Sequence, residues 1–151
     1  MCGIAGLIYR GKRSDIGSEL SSMLQALKHR GPDSTGFALY GMPEEGELVM
    51  RFKVAEPEDM QRGFKIHDEV KERRALVDQR MLEMGVNKKE EEQVTEYAYR
   101  YRFSFDGDMK RLADYIEDIE GAEILSVGHA LELVKDLGDA DTVSQQYGLA
   151  A

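Results

Sequence analysis

The chain has 151 residues, of which 42% are hydrophobic and 32% charged, and its formal net charge is −9. The apolar fraction is enough for a folded core, no apolar run approaches the about 18–20 residues that span a bilayer, and the start lacks the basic region of a signal peptide. The acidic balance argues against nucleic acid, which binds clustered positive charge. One cysteine excludes an internal disulfide, and no Cys/His cluster has metal spacing. We expect a soluble, cytoplasmic protein: one domain, or a small domain with an insertion.

The single cysteine, Cys2, directly follows Met1. Removal of Met1, which is usual before a small residue, leaves a chain terminus with both a thiol and an α-amine. In model peptides the amine titrates near about 7.7–8.0 and the thiol near about 8.5, so the amine can serve as the base for its own thiol. Most lone cysteines are small buried hydrophobes. Here Gly3 and Gly6 lie close after Cys2, at the start of and within a strand predicted over residues 4–9. Glycines in strands mark a close backbone approach.

A second polar motif follows the first predicted helix. Residues 15–28 carry one apolar stripe at helical spacing, and Gly31-Pro32 ends the helix. Arg30 brings a fixed charge with five donors, and Asp33 brings a carboxylate three residues later. We expect a polar turn over residues 33–36 and a strand from Phe37. Such a turn is usually a surface loop, and its functional interpretation depends on pairing with Cys2.

Together, residues 1–6 (MCGIAG) and 29–36 (HRGPDSTG) resemble the class II glutamine amidotransferases, which are N-terminal-nucleophile hydrolases. The resemblance is close up to Gly41 and loose afterwards. It implies an α/β (α+β) fold, the four-layer α/β/β/α sandwich of that family, incomplete here. It also implies hydrolysis of the glutamine side-chain amide through a thioester on Cys2. Arg30, Gly31 and Asp33 would support the site.

The Arg-Gly-Pro-Asp form of residues 30–33 looks like that of asparagine synthetases and some glutamate synthases. The run over residues 33–38 and the long stretch after Gly41 look most like the amidotransferase subunits of archaeal-type glutamate synthases, with an asparagine-synthetase-type glutaminase domain as the alternative. The first choice implies that ammonia passes to a synthase domain or subunit that holds FMN and iron–sulfur clusters. We expect no cofactor or metal in this chain, because it has no phosphate-cradling glycine motif and no cysteine set. A homo-oligomer is left open.

The rest of the chain predicts a second α/β region. We expect strands over residues 47–55, 97–105 and 122–128, helices over 58–85, 108–120 and 129–137, and a polar linker or turn over 87–93. The second of these strands, residues 97–105, alternates aromatic residues with polar ones, and we interpret the aromatic side as core rather than as a nucleic-acid stacking surface. The predicted domains are 1–46, the nucleophile-bearing opening, 47–147, an inserted region, and 148–151, the start of a further strand.

Several glutamine-binding motifs of the family are absent from the sequence. Asn87 precedes Lys88 rather than the glycine of an oxyanion-hole pair, and His129 precedes Ala130 rather than Thr-Arg. An oxyanion donor alone is worth about 10²–10³ in rate. We therefore expect the N-terminal part of an amidotransferase domain, marginally stable or associating when alone. The alternative is a non-catalytic assembly or binding subunit.

Overall fold

The computed structural model describes residues 3–11, 15–28 and 34–149. In chain order the elements are α1 (Ile16–Ala26), β1 (Ser34–Tyr40), β2 (Leu48–Lys53), a 3-10 turn (Asp59–Gln61), α2 (Lys65–Glu83), β3 (Asn87–Gln93), β4 (Ala98–Ser104), α3 (Met109–Glu117), β5 (Glu123–Gly128), β6 (Leu131–Leu137) and α4 (Ala140–Gln146). These helices and strands confirm the mixed α+β class expected from the sequence. No helix within the described ranges is long and apolar enough to cross a membrane.

The chain divides into two compact units. The first unit comprises Met1–Phe37 and Val134–Ala151, and the second unit is Ala38–Leu133. Strands β1 and β6 pair in a two-stranded sheet, and each contains residues of both units.

The second unit has the element order β2-α2-β3-β4-α3-β5 and a four-stranded sheet in the order β3-β4-β2-β5. All three strand pairs are antiparallel. This combination of chain order and sheet order is that of the split βαβ, or ferredoxin-like, motif. Fold alone assigns no activity, since this motif occurs with many functions.

The predicted aromatic stripe forms the core of the second unit. Phe52, Tyr101 and Phe103 have no exposed side-chain surface, and Tyr99 is 4% exposed. Phe52 meets the Tyr101 ring edge-on at 4.9 Å between centroids and stacks on Tyr99 at 5.4 Å. The interpretation of this stripe as core is therefore confirmed. The arginines that alternate with it lie on the opposite face of the sheet.

Two amphipathic helices cover the aromatic face. Helix α2 buries residues at helical spacing, namely Ile66, Val70, Val77 and Met81. Asp108 immediately precedes helix α3 and caps it. Its carboxylate accepts hydrogen bonds from the backbone amides of Lys110 (2.9 Å) and Arg111 (3.3 Å). This is the usual way of satisfying free amides at a helix start. Arg74 on α2 donates to the Tyr101 hydroxyl at 3.2 Å, which ties the helix to strand β4.

Two element predictions in this region are wrong. Residues 87–93 form β3 rather than a linker, and every residue of β3 is exposed. A charged, exposed edge strand protects a sheet from pairing with other chains, and it carries no apolar alternation to reveal it. Residues 129–137 form a turn and strand β6 rather than a helix. The pairing of β6 with the distant β1 decides its conformation, and no local pattern encodes that pairing.

In the first unit, helices α1 and α4 pack together. Ser21 donates to the Ser144 hydroxyl at 2.8 Å, and both residues are buried. The sequence analysis did not include α4. Gly148 and Leu149 follow this helix as a turn rather than the predicted strand, and residues 150–151 lie outside the described residues. Residues 4–9 are not a strand either, although their exposure alternates as in extended chain.

Candidate functional site

All four predicted site residues, Cys2, Arg30, Gly31 and Asp33, lie outside the described residues. Their assignments stay predictions. The structure does describe the residues next to them: Gly3 follows Cys2 directly, and Lys28 and Ser34 come just before and just after residues 29–33.

Gly3 lies against the end of helix α1. A Cβ atom at Gly3 would be 3.1 Å from the Cβ of Leu27, which is closer than most side chains tolerate. A Cβ at Gly6 would meet nothing within 4 Å. The close approach predicted for the two glycines therefore applies to Gly3 and not to Gly6. Further along, the Tyr9 hydroxyl donates to a carboxylate oxygen of Glu19 on α1. The segment after Cys2 is thus held against the helix that leads into the second motif.

The described residues next to both motifs line one cleft of about 80 Å³. Its lining consists of Gly3, Leu24, Leu27, Lys28, Ser34, Thr35, Gly36, Asp139 and Ala140. Cys2 and residues 29–33 lie outside the described residues and do not contribute to this lining. The described residues consequently form a wall of a site, not a complete substrate pocket.

The start of α4 supplies another part of the cleft, and the sequence analysis missed it. Asp139 caps this helix, with Oδ1 accepting from the Thr142 amide at 2.9 Å and from its hydroxyl at 2.8 Å. The Gln25 amide on α1 donates to Oδ2 at 3.3 Å. These bonds, led by that from the Thr142 backbone, lower the pKa of Asp139, which is ionised at neutral pH. Gly138 followed by Asp139 is a typical helix start and could have revealed the element.

Strand β1, which begins at Ser34 within the second motif, is joined to the same region by a hydrogen bond. The Thr35 hydroxyl donates to the Gly138 carbonyl at 2.9 Å. Two chain segments that are remote in sequence, one after Asp33 and one before α4, therefore meet at the cleft. Among the residues that the structure describes, no group of three or more His, Cys, Asp or Glu side chains could hold a metal ion.

No family model matches the chain. It is 32% identical over 152 residues to a protein of Methanothermobacter thermautotrophicus named "Putative glutamine amidotransferase", an alignment that covers 97% of this chain and 47% of that protein. It is 43% identical over 60 residues to "Glutamine amidotransferase-like protein GlxB" of Rhizobium meliloti, covering 38% of this chain and 20% of that protein. The chain spans about half the length of the first relative. These similarities support a relationship with glutamine amidotransferases.

Proposed function

We propose that this chain is the nucleophile-bearing part of a class II glutamine amidotransferase with the N-terminal-nucleophile hydrolase fold. The two sequence motifs and the similarity to proteins named glutamine amidotransferases support the proposal. The observation that carries it is the shared cleft. Gly3 and Ser34, which lie within the two motifs, and Lys28, which comes just before the second motif, line the same cleft, and this supports a site built from Cys2 and Arg30.

The chemistry follows from a terminal cysteine. After removal of Met1, the α-amine of Cys2 takes the thiol proton, directly or through a water. The thiolate attacks the side-chain amide carbon of glutamine, the carbon–nitrogen bond breaks, and the nitrogen leaves as ammonia with the proton from the amine. Water then attacks the γ-glutamyl thioester, which releases glutamate and regenerates the thiol.

The motif residues around Arg30 have supporting roles in this proposal. The Arg30 guanidinium provides a fixed charge and five donors near the nucleophile, while Gly31 and Asp33 shape the turn. Ammonia passes to a synthase partner of the glutamate-synthase type, which holds the FMN and iron–sulfur clusters. An asparagine-synthetase-type acceptor would require the same chemistry at Cys2.

The first test is the chemical state of the N-terminus. Mass spectrometry of the complete gene product should show that Met1 has been removed. Incubation with 6-diazo-5-oxo-L-norleucine, a glutamine-like electrophile, should add one label to Cys2. Replacement of Cys2 by Ala should abolish both labelling and glutaminase activity, with circular dichroism as the control for folding.

Three outcomes contradict the proposal. Retention of Met1 removes the base, absence of label on a processed Cys2 removes the nucleophile, and glutaminase activity in Cys2→Ala assigns the chemistry elsewhere. A folded, processed and unlabelled protein would instead favour the non-catalytic assembly subunit.

A further inference from the structure

Three described chain segments form the walls of the cleft beside the two motifs. Apart from Gly3, the lining residues come from the end of α1, the start of β1 and the start of α4. The end of α1 also leads into the second motif, since Arg30 comes four residues after Ala26, the last residue of that helix. The position of α1 against α4 therefore sets both the shape of the cleft and the point from which the second motif starts.

The Gln25 side chain joins the end of α1 to the start of α4 with both halves of its amide. Its Nε2 donates to Oδ2 of Asp139 at 3.3 Å, and its Oε1 accepts from the backbone amide of Asp141 at 3.3 Å. Only this orientation of the side chain satisfies both partners, because an ionised carboxylate accepts and a backbone amide donates. Gln25 therefore contacts α4 at two points.

Both partners of Gln25 belong to a helix start, where bonds from outside the helix are needed. Amides in the first turn of a helix have no acceptor within the helix. Asp139 satisfies one such amide at 2.9 Å, whereas the amide of Asp141 is satisfied by Gln25. The Thr35 hydroxyl on β1 adds a bond to the Gly138 carbonyl at 2.9 Å. Gln25 and Thr35 thus connect the start of α4 to the other two walls of the cleft.

A second bond between the same two helices lies further from the cleft. The Ser21 hydroxyl, four residues before Gln25, donates to the Ser144 hydroxyl at 2.8 Å. Neither serine lines the cleft, whereas Leu24, directly before Gln25, does. The Gln25 bonds therefore fix the helix pair at the cleft, and the Ser21 bond fixes it about one helical turn away.

We propose that Gln25 is a positioning residue of the site beside Cys2. Gln25 does not line the cleft itself, and it acts by holding the end of α1, and with it the start of the second motif, against α4. Reaction rates depend steeply on the placement of reacting groups, and a displacement of about 1 Å can cost about 100-fold. This inference rests on the proposed function, because it assigns Gln25 a role in the reaction at Cys2.

The test measures glutamine hydrolysis by the complete gene product with Gln25→Met, which keeps the length of the side chain but makes neither bond. Each rate is divided by the number of Cys2 residues that 6-diazo-5-oxo-L-norleucine labels at completion, so that unfolded molecules do not count. We expect kcat per labelled site to fall by about tenfold. KM should stay within about twofold of the wild type, because Gln25 does not line the cleft.

Ser21→Ala is the matched control. It removes the other bond between α1 and α4 and should lower the melting temperature. It should nevertheless leave kcat per labelled site within about twofold of the wild type, because its bond lies away from the cleft. A residue that only stabilised the helix pair would give the same result at Gln25 as at Ser21.

Gln25→Glu provides a measurement that stability alone does not change. The new carboxylate still accepts from the Asp141 amide, but it faces Asp139 without a donor, so two like charges meet. Two neighbouring carboxyl groups raise the pKa of one of them, which then shares its proton with the other. The ratio of kcat between this variant and the wild type should therefore rise by at least about threefold between about pH 8 and about pH 5. The charged groups around the pair, Lys28 on α1 and Asp141 on α4, are the same in both proteins.

The inference is overturned if Gln25→Met keeps the wild-type kcat per labelled site, if it behaves like Ser21→Ala, or if the ratio for Gln25→Glu does not change with pH. In each of these cases, wild-type activity and labelling of Cys2 leave the proposed function intact. A wild-type protein whose processed Cys2 takes no label contradicts the proposed function itself, and the role of Gln25 is then rejected with it.

Discussion

The two units of the molecule differ in how many apolar side chains they bury. The second unit holds most of the buried apolar side chains of the described residues, including Phe52, Tyr101 and Phe103 at 0% exposure. Among the described residues of the first unit, which contains both motifs, the buried apolar side chains are Phe37, Val134, Ala140, Val143 and Tyr147. This unit is also held together by hydrogen bonds from the Ser21 hydroxyl to Ser144 and from the Tyr147 hydroxyl to Asp136. Most of the buried apolar side chains of the described residues therefore lie in the unit that lacks the predicted nucleophile.

This difference is consistent with the second unit acting as a scaffold and the first unit carrying the reactive residues. Binding and catalytic residues commonly lie on irregular segments held by a rigid framework. Described residues 3–11, which follow Cys2, form no helix or strand, whereas the second unit has a regular four-stranded sheet with two helices. Substitutions in each unit test whether the two units differ in stability and in their effect on activity.

The largest effect is expected from the core of the second unit. Phe52→Ala removes a fully buried ring that contacts Tyr99 and Tyr101, and it should lower the free energy of unfolding by about 3–5 kcal/mol. Phe64→Ala changes a ring that is 92% exposed and should stay within about 0.5 kcal/mol of the wild type. Urea unfolding measures both. Similar losses for the two variants would refute the assignment of the core.

The next effect concerns the ion pair on the other face of the same sheet. Glu132→Gln leaves Arg51 and Arg100 without their carboxylate and should cost about 2 kcal/mol, less than a fully buried pair because all three side chains are partly exposed. Urea unfolding at neutral pH checks this value.

The same variant should change the pH dependence of stability. Burial raises the pKa of Glu132, but bonds and charges from Arg100 and Arg51 together hold it below the ordinary value. A lowered folded-state pKa gives stability that is complete above about pH 4.3 and lost as the pH falls through the folded-state pKa. The gap between wild type and Glu132→Gln should therefore narrow in acid. A gap that widens below about pH 4 would contradict the lowered pKa.

In the first unit, the matched pair Gly3→Ala and Gly6→Ala tests the cleft. The new methyl group at Gly3 crowds Leu27, so either Leu27 or the segment that follows Cys2 must shift by a few tenths of an ångström. We expect kcat for glutamine hydrolysis by the complete gene product to fall by about tenfold, since catalysis depends steeply on position. Gly6→Ala meets open space and should keep most of the activity. Equal effects would remove the case for a close approach at Gly3.

The smallest expected effect compares one helix cap in each unit. Asp139→Ala and Asp108→Ala each remove a carboxylate that caps a helix. Asp139 also accepts from Gln25 on α1, so its loss should lower the melting temperature by a few degrees, about 2–4 °C, and expose α4 to amide hydrogen exchange. Asp108→Ala should have a smaller effect because the aromatic core holds α3. The reverse order would contradict the contrast between the units.

Sequence periodicity predicted the elements that bury a regular stripe. Helix α3 and strand β4 were found because Leu112 and Ile116, or Tyr99 and Tyr101, repeat at the spacing of their own element. Strand β3 was missed because an exposed edge strand has no buried face. In the candidate site, Gly3 was correctly expected to approach another segment, but Asp139 was not found. Its role depends on α4 packing against α1, which lies more than one hundred residues earlier.

By itself, the sequence determined the candidate chemistry and the secondary structure that local pattern encodes. A thiol beside its own α-amine needs only the position of Cys2 in the chain, and an aromatic stripe needs only alternation. Tertiary structure alone decided the strand order β3-β4-β2-β5, the pairing of β6 with β1, and the ion pairs on the face of the sheet opposite the aromatic core. These features join residues far apart in sequence, such as Arg51, Arg100 and Glu132. Such contacts depend on packing and long-range pairing, and no local pattern of residues records them.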